Sequence, residues 1–400
     1  MTTLALAWRY LWSRPLGAAL NLLLLSLGLA SITFLLLLGH QLSRAFERDL
    51  TGIDLVVGAK GSPLQLILSG VLHLDIPTGN VPLQAVRELE KTPLVASIIP
   101  ISLGDSFRGF RIVGTSLAYP AHYQAALAQG QMWHAPMQAV LGAGAARALG
   151  LQLGQSFVGS HGLGAGGHTH GDLPYSVTGI LAPTGSVLDR LILTDTASVW
   201  KVHETATALD ADDQKILEEE RELTLALVRY RTPMAAMSLP RFINSSTEMQ
   251  AASPALEISR LLRMLGIGTD VLQALAGVLL VTAALSVFLA LWSAVRERRA
   301  DLALLRLLGA PARRVAALLM AEALWLGLLA AALGLGLGQL LLQWIGWQLA
   351  LDQSLLIGGL AWPPSLWWVP ALALGVSLAA AALPTLGAYR VSVQELLQSR

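Results

Sequence analysis

The chain has 400 residues, of which 54% are hydrophobic and only 13% charged, and its 27 Lys and Arg against 26 Asp and Glu leave a formal net charge of +1. With a mean hydropathy of +0.58, it is too apolar for an ordinary soluble enzyme, and no nucleic-acid partner is expected; a membrane protein is predicted. The absence of cysteine excludes disulfides, thiolate metal sites and cysteine nucleophiles.

A bilayer core about 30 Å thick needs roughly 20 consecutive, mostly apolar residues to cross it as a helix. Four stretches qualify, at 16–39, 271–294, 315–345 and 366–386. The first is longer than a signal-peptide core and has no small-residue cleavage site after it, so it reads as an uncleaved anchor. Between it and the second lies a long segment, 40–263, of mixed polarity. There "IDLVVGAKG", "VASIIPISLGDSFRGFRIVGTS", "LPYSVTGILAP", "DRLILTD" and "LTLALVRYR" read as strands, and "PLQAVRELEKT" and "AGAARALGL" as helices. The acidic "LDADDQKILEEERE" reads as a solvated helix or linker, and "EISRLLRMLG" as a helix leading into the second span. The expected fold class is therefore membrane α-helical, four transmembrane helices with a large two-part α+β extracytoplasmic domain inserted between the first and second.

Lys and Arg in short flanks stay on the cytoplasmic side. Arg9 and Arg14 precede the first span, Arg296, Arg298, Arg299, Arg306, Arg313 and Arg314 lie between the second and third, and Arg390 and Arg400 follow the fourth. The connection 346–365 has Asp352 and no Lys or Arg. Trp344, Trp347, Trp362, Trp367 and Trp368 gather at that edge, and Trp8, Trp12 and Trp292 at the other, as two interfacial belts. Both termini are thus expected in the cytoplasm and 40–263 outside. On that topology all eight histidines, His40, His73, His122, His134, His161, His168, His170 and His203, lie outside. His161, His168, His170 and Asp172 fall in the glycine-rich "SHGLGAGGHTHGD". Imidazoles and a carboxylate so close together suit zinc, and so many glycines equally suit a mobile loop.

Within "RERRADLALLRLLGAPARRV", Leu302, Leu305 and Leu308 recur at helical spacing until Gly309 and Pro311 stop the helix. An amphipathic helix of this kind either lies on lipid with its arginines on phosphates or docks a cytoplasmic partner. Glu322, two to three turns into the third span, is an intramembrane acid with either a functional role or a structural one, paired with a loop arginine. Gly327, Ala331, Gly334 and Gly338 form a small-residue face for close helix packing, within one chain or between two.

The stretch Glu297, Arg298, Arg299, Asp301, Leu302, Leu305, Arg306, Leu308, Gly309, Ala310, followed by Glu322, Ala323 and Leu324, resembles the signature of the FtsX-like permease domain of MacB-type ABC transporters. It departs from it mildly, with Asp301 for the usual Glu and Pro311 for Ser. "AWRYLWSRPLGAALNLLLLSLGLA" is similar to the family's N-terminal amphipathic helix and first span, "LPTLGAYRVSVQELLQ" to its closing motif, and "YSVTGILAPTGSVLDRLILTDTASVW" to its periplasmic core domain. The resemblance implies an N-terminal cytoplasmic helix over 1–15, a MacB-like domain over 40–263, an FtsX-like domain over 264–400 and a coupling helix over 297–311. It implies a bacterial inner-membrane subunit that works as a dimer. ATP and Mg would sit in a separate cytoplasmic ATPase, with a periplasmic binding or adaptor protein as a further partner. Glu297, Arg298, Arg299, Asp301, Leu302, Leu305 and Leu308 would contact the ATPase. No GxxxxGK[ST] loop occurs, and "GAKGSP" places its lysine too early to cradle a nucleotide. A resemblance to MacB-type permeases associated with zinc homeostasis implies a zinc role for the histidine stretch. Two functions follow: a transporter subunit acting on a periplasmic substrate, or a mechanotransmitting signalling protein that controls a periplasmic partner. The size of the external domain favours the first. No G-x-S-x-G or H-E-x-x-H constellation supports an enzyme.

Overall fold

The computed structural model describes residues 2–13, 15–162, 173–207, 217–218, 220–297, 311–351 and 360–389. They fall into two units, a helical one drawn from 1–43, 264–350 and 357–400, and an α/β one drawn from 44–263.

Among the described residues four helices are long and apolar enough to cross a membrane, Pro15–Leu50, Asp270–Ser293, Arg313–Gln348 and Pro364–Leu386. The first and second belong to longer helices than hydropathy predicts. Pro15–Leu50 is one helix, and the second span lies within Pro254–Glu297. The apolar run ends where lipid would end, but the helix does not. Beyond Gly39 the sequence keeps helical spacing and meets no breaker before Gly52; Ala45 and Phe46 are buried while Arg44 and Glu47 are exposed.

In the helical unit a short helix, Thr3–Leu11, is capped by the Thr2 hydroxyl, which accepts from the Ala5 amide at 3.4 Å. Its Ala7 packs with Leu318 and Ala321 of the third span. A larger core joins Leu11 and Ala18 to Val287, Leu291 and Val295 of the second span, Val315, Leu319, Ala323 and Leu326 of the third, and Ala380 and Ala381 of the fourth.

The α/β unit is built on an 11-stranded sheet. Its strands are β1 (Leu55–Ala59), β3 (Val95–Phe107), β4 (Phe110–Thr115), β5 (Leu127–Gly130), β6 (Gln138–Leu141), β7 (Ser156–Phe157), β8 (Ser160–His161), β9 (Tyr175–Leu181), β10 (Leu191–Asp195), β12 (Leu225–Tyr230) and β13 (Met249–Ala252). They run in the order β13-β1-β12-β3-β4-β10-β6-β9-β5, with β7 on β9 and β8 on β3, while β2 (Val81–Pro82) and β11 (Glu222–Leu223) form a separate pair. β10 lies parallel to β4 and β6 parallel to β9; the other pairings are antiparallel. Tyr175, Val177 and Leu181 of β9 are buried at the two-residue period of a strand with one face on a core.

The two-part insertion expected from sequence is, among the described residues, one ladder that carries at least two cores. One core sets Leu55, Val57, Ala226, Val228 and Ala251 against Val86 and Leu89 of helix Leu83–Glu90 and Leu239 and Ile243 of helix Ala235–Ser246. The other gathers Ile112, Leu141, Val177 and Ile192 with Ala145 and Ala146 of helix Ala143–Leu149. β3 gives Val95 to the first and β4 gives Ile112 to the second, and the antiparallel pairing of β3 with β4 joins them in one sheet.

Candidate functional site, the loop-bearing end of the helical unit

The second span's helix ends at Glu297 and the third's begins at Ala312, with the Arg314 amide donating to the Pro311 carbonyl at 2.8 Å. Glu297 is the last residue of its helix. Arg298, Arg299, Asp301, Leu302, Leu305 and Leu308 lie outside the described residues, so what the structure places is the seat of the proposed coupling helix.

That seat is tightly packed. Val295 and Val315, flanking the loop, are both buried in the core that includes Leu11 and the fourth span's Ala380 and Ala381. The indole N–H of Trp325 donates to the Leu4 carbonyl at 3.2 Å, and its ring meets Trp8 edge-on at 5.0 Å; Trp8 meets Trp12 at 5.8 Å. The N-terminal helix is thereby fastened to the third span by a hydrogen bond and an aromatic contact. Sequence reading placed Trp8 and Trp12 in an interfacial belt. Both are exposed enough for that, and the Trp8 contact adds a clamp that only the pairing with Trp325 reveals.

The small residues of the third span have distinct neighbours within the chain. A Cβ on Gly334 would lie 2.6 Å from Leu29 Cβ, and one on Gly338 2.6 Å from Thr33 Cβ, so the first span crosses against this pair. A Cβ on Gly327 would meet the Ser377 hydroxyl at 3.1 Å and the Ala373 carbonyl at 3.2 Å on the fourth span. Ala331 is buried. Gly336, on another face, has nothing within 4 Å. Gly28 brings the first span against Leu280 of the second, where the Ser286 hydroxyl donates to Asn21 Oδ1 at 2.6 Å. A buried asparagine in an apolar span was the available sequence signal for this last contact. Glu322 is 5% exposed, between Ala321 and Ala323 of the two helical cores; of the loop arginines expected to pair with it, Arg298, Arg299 and Arg306 lie outside the described residues.

In the α/β unit the last turn of helix Pro15–Leu50 is fixed by Asp49. Its Oδ1 accepts from the Val187 amide at 3.1 Å, and its backbone carbonyl accepts from the Tyr123 hydroxyl at 2.8 Å. Close by, Arg190 donates to the Leu72 carbonyl, and Arg111 donates to the carbonyls of Ser69 at 3.2 Å and Asp75 at 2.8 Å. Burial lowers the Arg111 guanidinium to about 10. His73, also buried, bonds the Tyr119 hydroxyl through Nε2 at 2.9 Å. Burial, then the charges of Arg111 and Arg190, hold its pKa well below the ordinary histidine range. His161 is the edge residue of β8, paired with Asp105, while His168, His170 and Asp172 lie outside the described residues. Among the described residues no group of three or more His, Asp or Glu side chains is placed to hold a metal ion.

A family model for the MacB-like periplasmic core domain matches residues 18–233, more than half of the chain, and one for the FtsX-like permease C-terminal region matches 274–393. No curated protein sequence matches. Among solved structures, the chain is similar to the periplasmic region of MacB from Actinobacillus actinomycetemcomitans, at 14% identity and a TM-score of 0.35, over 54% of this chain and 96% of that one. It is also similar to the extracellular domain of the noncanonic ABC-type transporter YknZ from Gram-positive bacteria, at 10% identity and a TM-score of 0.31, over 50% and 99%.

Proposed function

We propose, from the premise that this chain belongs to the family of FtsX-like permeases with a MacB-like periplasmic core domain, that it is the permease subunit of an ABC transporter driven by a separate cytoplasmic ATPase. In this reading the ATPase pushes on 297–311, the spans carry the motion, and the periplasmic domain acts on a substrate handled outside the membrane.

The observation that carries the reading is the seat of the loop. Its two flanking helices share one packed core with the N-terminal helix and the fourth span, so a displacement of the loop has no soft element in which to dissipate. Helix Pro15–Leu50 supports the next step, because it runs unbroken from a membrane-spanning stretch to Asp49, which is hydrogen-bonded into the α/β unit. The topology follows the arginines, with both termini cytoplasmic.

A second copy is the proposed partner in the membrane. Val271, Leu275, Val278, Leu285, Leu289 and Trp292 are all exposed. They fall on the alternating four-and-three spacing of a coiled-coil seam, with Thr282 filling the one gap.

The test of coupling is co-purification. Leu305→Asp with Leu308→Asp should release the ATPase from the tagged permease while the permease still inserts. Removing a buried interface anchor can cost about 2 kcal/mol or more. Arg313→Ala, outside the loop's apolar face, should retain it. Full retention by the double variant would place the loop on lipid instead.

A further inference from the structure

At one edge of the 11-stranded sheet lies β13, which pairs only with β1 among the described residues. An edge strand turns alternate N–H and C=O groups outward, ready for a strand from another chain. Met249–Ala252 carries no charge and no proline of its own to discourage one. The edge is closed from outside the strand instead. Only Thr247 and Glu248 separate helix Ala235–Ser246 from β13, and this short turn lays Asn244 alongside Ala251. The Ala251 amide donates to Asn244 Oδ1 at 2.6 Å, and Asn244 Nδ2 donates to the Ala251 carbonyl at 3.2 Å. Gln250 Nε2 ties the two together, donating to Asn244 Oδ1 at 3.1 Å and to the Ala251 carbonyl at 3.3 Å. The Met249 amide, two residues back on the same edge, donates to the Thr247 hydroxyl at 3.1 Å.

A side-chain amide that accepts from the N–H of one residue and donates to its C=O does what the backbone of a neighbouring strand would do. Asn244 is exposed, so water could satisfy the same groups at nearly the same free energy. What the contact adds is therefore occupancy more than stability: the place of the next strand is filled.

We propose that Asn244 is an autoinhibitory contact, a stand-in strand that holds the β13 edge shut against strand addition by a second copy of this chain. The register suits a second copy. An antiparallel pairing of β13 with itself, centred on Gln250, sets Met249 opposite Ala251 on both sides of a two-fold axis, so each outward group meets its complement. It also sets the two Gln250 residues directly opposite, with Cα atoms about 4.5 Å apart. For two permeases held close in one membrane, as proposed above, an open edge would fuse their α/β units, and a closed one leaves them free to move. That purpose rests on the reading above; the contact and its test do not.

The chain has no cysteine, so disulfide capture reads the edge directly. It is done on the full-length protein concentrated in detergent, where copies collide whether or not they pair in a membrane. Gln250→Cys with Asn244 in place should stay uncrosslinked. Gln250→Cys with Asn244→Ala should give about tenfold more crosslinked dimer, because an incoming strand no longer competes with the hydrogen bonds of Asn244. Asn244→Asp should keep the edge shut, since its carboxylate still accepts from the Ala251 amide and two like charges would face each other across the axis. Glu248→Cys with Asn244→Ala is the register control: in the two-fold pairing its cysteines lie about 13 Å apart along the strands, beyond disulfide reach. Three results would each overturn the proposal: equal crosslinking of Gln250→Cys with and without Asn244, no crosslinking of Gln250→Cys in the Asn244→Ala background, or as much from Glu248→Cys as from Gln250→Cys. The last is also what an edge strand merely shaken loose would give. Neither the ATPase nor the membrane seam enters this measurement, so its failure leaves both of those readings intact, and their failure leaves this one.

Discussion

Adding one methyl group to the third span should act with opposite sign at positions two residues apart. At Gly334 the new Cβ would sit 2.6 Å from Leu29 Cβ and 3.3 Å from the Ala30 nitrogen; at Gly338 it would sit 2.6 Å from Thr33 Cβ and 2.9 Å from the Ala30 carbonyl. Carbon atoms in contact rest at about 3.5–4.0 Å, so either substitution must push the first and third spans apart by roughly 1 Å. Leu29 and Thr33 are themselves fully buried and have no open side to move into. Overpacking of this kind costs about 1–3 kcal/mol. Because one separation of the helices relieves both sites, the double variant should cost less than the sum. Gly336→Ala meets nothing within 4 Å and should be neutral or stabilising by up to about 1 kcal/mol through helix propensity. Thermal denaturation of the three single variants in one detergent measures the difference. Gly334→Ala and Gly338→Ala should melt several degrees below the parent, with Gly336→Ala at or above it. If all three melt together, the first and third spans do not cross at this face.

The buried histidine gives the α/β unit a pH dependence. The folded state holds His73 well below its ordinary pKa, so the unfolded chain binds the extra proton. Stability is then complete above about pH 6.5 and falls as pH drops below it, by up to roughly 1.4 kcal/mol per pH unit. Hydrogen exchange of the segments around 63–75 between pH 8 and pH 5 should show the loss. His73→Asn, a residue that tolerates the positive φ of 52° found there, should flatten it, and equal slopes in the two proteins would remove His73 as the cause. In a chain without cysteine, single cysteines test the membrane arrangement. Leu285→Cys and Leu289→Cys should crosslink two copies while buried Val287→Cys should not, and Ser354→Cys should be labelled from outside the cell membrane; the converse pattern would reject the seam or the topology.

The sequence was most legible where one physical rule acts alone. Four apolar runs of bilayer length located four spans, and two-residue periodicity found the strands beginning at Leu55, Val95, Tyr175, Leu191 and Leu225. Helix ends were misjudged because hydropathy reports where lipid stops: the polar turns 40–50 are helical through the packing of Ala45, Phe46 and Asp49. Helix Ala235–Ser246 was missed because Pro240 lies inside it. The burial of Leu239 and Ile243 holds it against the propensity penalty. Helix Pro63–Gly70 did carry a readable start, with Ser62 as cap and Pro63 in the first position. The clamp on the third span was illegible for another reason. Leu4 stands 321 residues before Trp325, and no local spacing brings the two together.

The described polar groups of the spans bear on the proposed transmission of force. The hydroxyls of Ser26, Ser31, Thr33 and Thr282 donate to carbonyls of their own helices, and Ser286 donates across to Asn21. A translocation path would need such groups turned toward one another along a common wet surface. Among the described residues these hydroxyls are spent on helix backbones and on the bond to Asn21, while Gln339 of the third span and Ser377 and Thr385 of the fourth each bury a polar side-chain atom with no hydrogen-bond partner. The spaces between helices are filled instead by Leu25, Leu29, Val287, Ala323 and Ala373, all at or near zero exposure. Among the described residues, packing of this kind suits the proposed transmission of displacement from the loop-bearing end.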